Sequence, residues 1–157
     1  MKSACLVLVL ALSFTACRTT SDLLNSAPIV PRTALSLQPA PMQGDTIRVA
    51  IALGAGPIRS VGSLTGDVLL PPQWTFTGCV AAQGDPLLAC KAHAQSVKVA
   101  AAWVTGTHVG DLVTLTFVRT SPSAPSTWEL AVQEVHSVAG ASLLDSLDVR
   151  REIGGMP

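Results

Sequence analysis

From Thr46 the chain alternates. Ile47, Val49, Ile51 and Leu53 fall on one side, with Thr46, Arg48 and Ala50 on the other. A period of two is the mark of an extended strand with one buried face. The same period returns in Val97, Val99, Ala101 and Trp103 against Lys98, Ala100 and Ala102. It returns again in Val113, Leu115 and Phe117 against Thr114 and Thr116, and in Trp128, Leu130 and Val132 against Glu129, Ala131 and Gln133. The phase slips near Glu134 and Val135, which predicts a bulge. Weaker segments complete the pattern. Leu35 and Leu37 alternate with Ser36 and Gln38, and Pro39 and Pro41 suit an edge position. Residues 58–70 read as one long or two short strands bent at Gly62 and Gly66. Trp74 to Val80 predicts a strand, and Leu87 to Ala92 is expected to pair with it as a hairpin. Leu144 to Arg151 fits either a short strand or one helical turn.

Turn formers separate these runs: Gly54, Gly56 and Pro57; Pro71 and Pro72; Gly106 and Gly110; and the SPSAPS stretch of 121–126. Eight or nine short strands at this spacing predict an all-β sandwich of two packed sheets. No long stretch has helical periodicity.

The first residues follow a different logic. Lys2 precedes a short apolar run, Cys5 to Phe14, and then Thr15, Ala16 and Cys17. About ten apolar residues are too few to span a bilayer, which needs about 20. The pattern is that of a secretory signal peptide over 1–16. Its end resembles the lipobox of bacterial lipoproteins, in which the cysteine is acylated and becomes the new N-terminus; Phe14 stands where that motif usually has Leu. The resemblance implies lipidation at Cys17 and a membrane anchor in the cell envelope. Arg18 rather than Asp follows, which in a Gram-negative cell implies the outer membrane. An ordinary signal peptide cut near Ala16 is the alternative. Residues 17–33 are polar and contain proline, and read as a lipidated N-terminus and flexible linker. The domain is expected over 34–153.

Composition narrows the function. Of 157 residues, 48% are hydrophobic and 13% charged, with ten basic and ten acidic groups. A neutral chain lacks the field that draws a protein to DNA or RNA, so no nucleic-acid partner is expected. With Cys5 in the signal and Cys17 lipidated, Cys79 and Cys90 remain as an even pair. In an oxidising compartment they predict a disulfide rather than two buried thiols.

Nothing in the sequence announces an enzyme. His93, His108 and His136 occur singly, no G-x-S-x-G nucleophile turn is present, and Gly54-Ala55-Gly56 precedes no helix. Asp45, Asp67, Asp85 and Asp111 fall in predicted turns, where carboxylates shape the backbone. No metal or cofactor is expected. Trp103 and Trp128 lie in phase with core rows. Trp74, after Pro71-Pro72-Gln73, is the candidate for a stacking contact with a ligand.

The stretches GDTIRVAIAL, IRSVGSLTGDVLLPPQW, SVKVAAAWVTG, GDLVTLTFVR and STWELAVQEVHSVAG occur in an order that resembles a cohesin domain over about residues 34–150. Gly44-Asp45, Gly110-Asp111 and Leu112 to Val118 match its pattern. Leu69-Leu70-Pro71-Pro72 stands where that family has a Tyr-Asp-Pro turn, and its closing acidic motif is not clear here. The resemblance implies a jelly-roll sandwich. It also implies a non-catalytic module that binds a protein partner through one sheet face, as cohesins bind dockerins. It carries over no contact residues. A face of small residues such as Ala50, Ala52, Ala100 and Ala102 is the expectation for a protein partner. Carbohydrate-binding modules share the architecture, so a polysaccharide is the alternative ligand.

Overall fold

A computed structural model describes residues 31–121, 126–150 and 152–156. The expected signal peptide, Cys17 and most of the linker lie outside these residues. The described part is an all-β jelly-roll sandwich of two five-stranded sheets. Its strands are β1 (Thr33–Pro39), β2 (Thr46–Leu53), β3 (Val61–Leu69), β4 (Trp74–Ala81), β5 (Leu87–His93), β6 (Ser96–Thr107), β7 (Gly110–Arg119), β8 (Ser126–His136), β9 (Leu147–Arg150) and β10 (Glu152–Met156). The first sheet has the order β4-β7-β2-β1-β9 and the second β10-β8-β3-β6-β5. Strand neighbours are antiparallel except β1 and β9, which run parallel.

The alternating rows build the core. Val49, Ile51 and Leu53 of β2 and Leu115 and Phe117 of β7 meet Leu64 and Val68 of β3 and Val97 and Val99 of β6. Each such side chain contributes about 1.5–3 kcal/mol when fully buried. At one end four aromatic rings pack together: Phe117 meets Trp128 edge to face at 4.6 Å and Phe76 at 5.8 Å, and Trp128 lies tilted against Trp74 at 5.6 Å.

The bulge expected near Glu134 is present. Thr65 pairs with Glu134 but Gly66 pairs with Val132, leaving Gln133 as the extra residue. Gly62 and Gly66 lie inside one continuous β3, and both are needed for close approach. A Cβ on Gly62 would stand 2.6 Å from the Val138 nitrogen, and one on Gly66 2.9 Å from the Ala131 oxygen. The two readings of residues 144–151 are both realised in sequence, as a 3-10 turn at Leu144–Ser146 and then β9. β1 is covered by β9 along Thr33 to Ser36 and open from Leu37 to Pro39, where its proline stands.

Three expectations are corrected. β4 and β5 do not form a hairpin: β4 pairs with β7 in the first sheet and β5 with β6 in the second. Each strand is the edge of its own sheet at the same side of the sandwich, and the link between them is the Cys79–Cys90 disulfide instead of a backbone ladder. Asp67 and Asp111 are not turn residues: Asp67 lies within β3, where its partners are Lys98 and Ala131, and Asp111 is the second residue of β7, opposite Ala52. Finally, the sandwich begins at Thr33 and ends at Met156, slightly beyond the expected 34–153. β10 (EIGGM) has two glycines and no alternation to announce it.

Candidate functional site

The outward rows of the second sheet form the candidate site. Four strands carry them in the order β8-β3-β6-β5, and the register sets which residues stand side by side. One row runs Leu87, Ala102, Ser63, His136. The next runs Ala89, Ala100, Thr65, Glu134. A third holds Lys91, Lys98, Asp67 and Ala131, and a fourth His93, Ser96, Leu69 and Glu129. Because β6 carries alanine at successive outward positions, the middle of the face is low. A shallow trough of about 420 Å³ lies there, bounded by Leu87, Leu88, Ala89, Ala100, Ala102, Ser63 and Thr65. A second depression of similar volume continues past Ser63 to His136, Ser137 and Val138. Two exposed large apolar side chains line the low ground, Leu87 (82%) and Val138 (52%), and Val104, 89% exposed, is the next outward residue of β6 after Ala102. Exposed apolar groups around a small-residue floor are the chemistry of a docking surface.

The sequence placed Ala50, Ala52, Ala100 and Ala102 together as small-residue positions, and the structure separates them. Ala100 and Ala102 lie on this face. Ala50 and Ala52 lie on the outside of the first sheet and are only 7% and 2% exposed. β2 is the central strand there. Ala50 stands between Gln38 and Thr114, and Ala52 between Ser36 and Asp111, so each methyl is overshadowed by taller neighbours.

Trp74 is likewise corrected as a ligand contact. It is 3% exposed, and its ring packs on Trp128 in the core. The alternation that points Phe76 inward points Trp74 inward as well. Trp103 and Trp128 are also buried, so none of the three indole faces is open to a sugar ring. The indole nitrogens of Trp74 and Trp128 are buried without a hydrogen-bond acceptor. The Trp103 indole instead donates to the Gln83 backbone carbonyl at 3.0 Å.

Cys79 and Cys90 form a disulfide, with Cα atoms 6.5 Å apart. It joins the edge strand of one sheet to the edge strand of the other, rather than bracing a hairpin. Close to it lies a residue the sequence reading passed over. The Gln83 side chain donates to the carbonyls of His108 and Asp111, and its oxygen accepts from the Thr107 hydroxyl and the His108 amide. These four bonds hold the β4–β5 connection against the β6–β7 turn and so fix the end of the sandwich beside Leu87. A lone glutamine in a loop gives no sequence signal for such a role.

Two polar contacts lie on the face itself. Gln133 Nε2 donates to Asp67 Oδ2 at 2.6 Å. Ser63 Oγ lies 3.4 Å from His136 Nδ1. That separation exceeds the usual range for a nucleophile and its base. Among the described residues no group of three His, Cys, Asp or Glu is placed to hold a metal.

No protein-family model and no curated protein matches the sequence. Solved structures do match the fold. A non-cellulosomal cohesin from the archaeon Archaeoglobus fulgidus superposes with a TM-score of 0.61 at 18% identity, covering 80% of this chain and 92% of that one. A cohesin module from a Clostridium perfringens family 33 glycoside hydrolase gives 0.63 at 11%, covering 79% and 96%. A chain of the CaDoc0917–CaCohA2 complex gives 0.59 at 13%, covering 78% and 100%. The described domain is thus a cohesin-like β-sandwich.

Proposed function

We propose that this chain is a non-catalytic cell-envelope lipoprotein whose cohesin-like domain binds a protein through the outer face of β8-β3-β6-β5, in an adhesion or scaffolding role. The observation that carries the reading is the low alanine floor of that face beside the exposed Leu87 and Val104. The structural neighbour in the CaDoc0917–CaCohA2 complex supports it by analogy of fold. The polysaccharide alternative finds less support, because all three tryptophans are in the core. The lipid anchor rests on the sequence of residues 1–17 alone, and a location outside the cytoplasm is part of the same proposal.

Affinity capture from cell envelopes tests the docking face, with Ala102→Arg as the control. A partner retained by the wild-type chain and lost from the variant supports the reading. A partner retained equally by both removes this face from consideration. The anchor is tested separately: Cys17→Ser should release the protein from membranes and abolish the mass added by acylation.

A further inference from the structure

The two halves of the candidate face carry opposite charge. Lys91 and Lys98 stand directly across from each other on β5 and β6. Asp67, Glu134 and Glu129 occupy β3 and β8. Like charges directly opposite destabilise a strand pair. Within one chain Lys98 also has Asp67 as its cross-strand neighbour on β3, which offsets part of that cost, although among the described residues none of these five side chains closes to an ion pair. A surface divided this way is complementary to its own image. With a two-fold axis parallel to the strands and midway between β3 and β6, β6 of one copy lies over β3 of the other, and β5 over β8. Residues of one row then meet at the same level. Lys98 faces Asp67 of the second copy, His93 faces Glu129, and the small Ala100 and Ala102 face Thr65 and Ser63. An axis perpendicular to the strands instead lays the basic half over the basic half.

We propose that this face pairs with a second copy of the chain about a two-fold axis parallel to β3 and β6, with two Lys98–Asp67 contacts beside the axis. The inference rests on the reading of this surface as the docking face and names its occupant, so self-pairing and partner binding exclude each other there. Four strands of about seven residues offer roughly 500 Å² per copy. About 1,000 Å² in total lies at the weak end of specific interfaces, which suits a reversible dimer.

Sedimentation of the full chain in non-ionic detergent over a dilution series tests this. The wild-type chain should pass from monomer to dimer with concentration, and less readily in high salt. Lys98→Glu and Asp67→Lys should each weaken association about tenfold or more. An equimolar mixture of the two variants should recover it as a heterodimer, because opposite charges then meet on both sides of the axis. Loss of folding in either variant cannot produce that recovery. A wild-type chain that stays monomeric throughout overturns the pairing, as does association that survives both reversals or a mixture of folded variants that fails to associate. A monomeric chain that still captures a partner through Ala102 overturns the pairing alone. A chain that pairs but captures nothing keeps the pairing and removes the heterologous module.

Discussion

The side-chain oxygen of Gln83 accepts the hydroxyl of buried Thr107 at 3.0 Å, and this bond closes one end of the sandwich. Thr107 is the last residue of β6, and Gln83 lies in the connection from β4 to β5. Removing the glutamine leaves polar groups at the β6–β7 turn without their partners. Gln83→Ala is expected to destabilise the domain by about 1–3 kcal/mol. Urea denaturation should show a lower midpoint with an unchanged slope.

The disulfide acts on a different state. Cys79 and Cys90 are 11 residues apart in sequence, so in the chain-entropy account their bond restricts the unfolded chain by about 3 kcal/mol. Replacing both cysteines by serine should reduce stability by about that amount, and thermal denaturation with and without reductant should show the same loss in the wild-type chain. Circular dichroism of the folded variant should be unaltered, because both strands keep their sheet partners.

Trp74 separates a core role from a ligand role. Trp74→Ala should cost about 3–5 kcal/mol by opening a cavity against Trp128. Trp74→Phe should cost less, since it keeps a ring in the cluster and removes a buried N–H that has no acceptor. Neither change should alter capture of a partner by the folded protein, measured at a temperature where both remain native.

Two glycines make opposite predictions. Gly62→Ala places a methyl into the backbone of Ser137 and Val138 and should cost about 1–3 kcal/mol or more. Gly78, in the edge strand β4, has nothing within 4 Å of a Cβ position. Gly78→Ala should therefore be neutral or stabilise by about 0.4–1 kcal/mol through the unfolded chain. Parallel melting curves of the two variants check both.

The strands with the cleanest alternation were legible because one inward row requires the next inward position two residues on. Thr46 to Leu53, Val97 to Trp103 and Val113 to Phe117 are strands in the structure for this reason. The bulge in β8 was legible from the slip at Glu134. The partner of β5 was not, because adjacency in sequence favours a hairpin while burial of both inward rows places the two strands in different sheets. The prolines before Trp74 suggest exposure, whereas its phase with Phe76 points it inward, and the structure buries it. Gln83 could not be found, since its four hydrogen bonds converge from turns distant in sequence.

The sequence by itself determined an all-β sandwich and a pair of cysteines close enough to bond. Alternation is a local property, and it is preserved whatever the sheets do. Only the tertiary structure decided which alanines are bare. Ala52 and Ala102 read alike along the chain, yet one is buried at the centre of its sheet and the other is exposed on the opposite face. Exposure depends on the height of the neighbours across the strands, and those are set by register rather than by sequence order. The same register divides Lys91 and Lys98 from Asp67, Glu129 and Glu134, and turns a chain with no formal net charge into one with a polarised face.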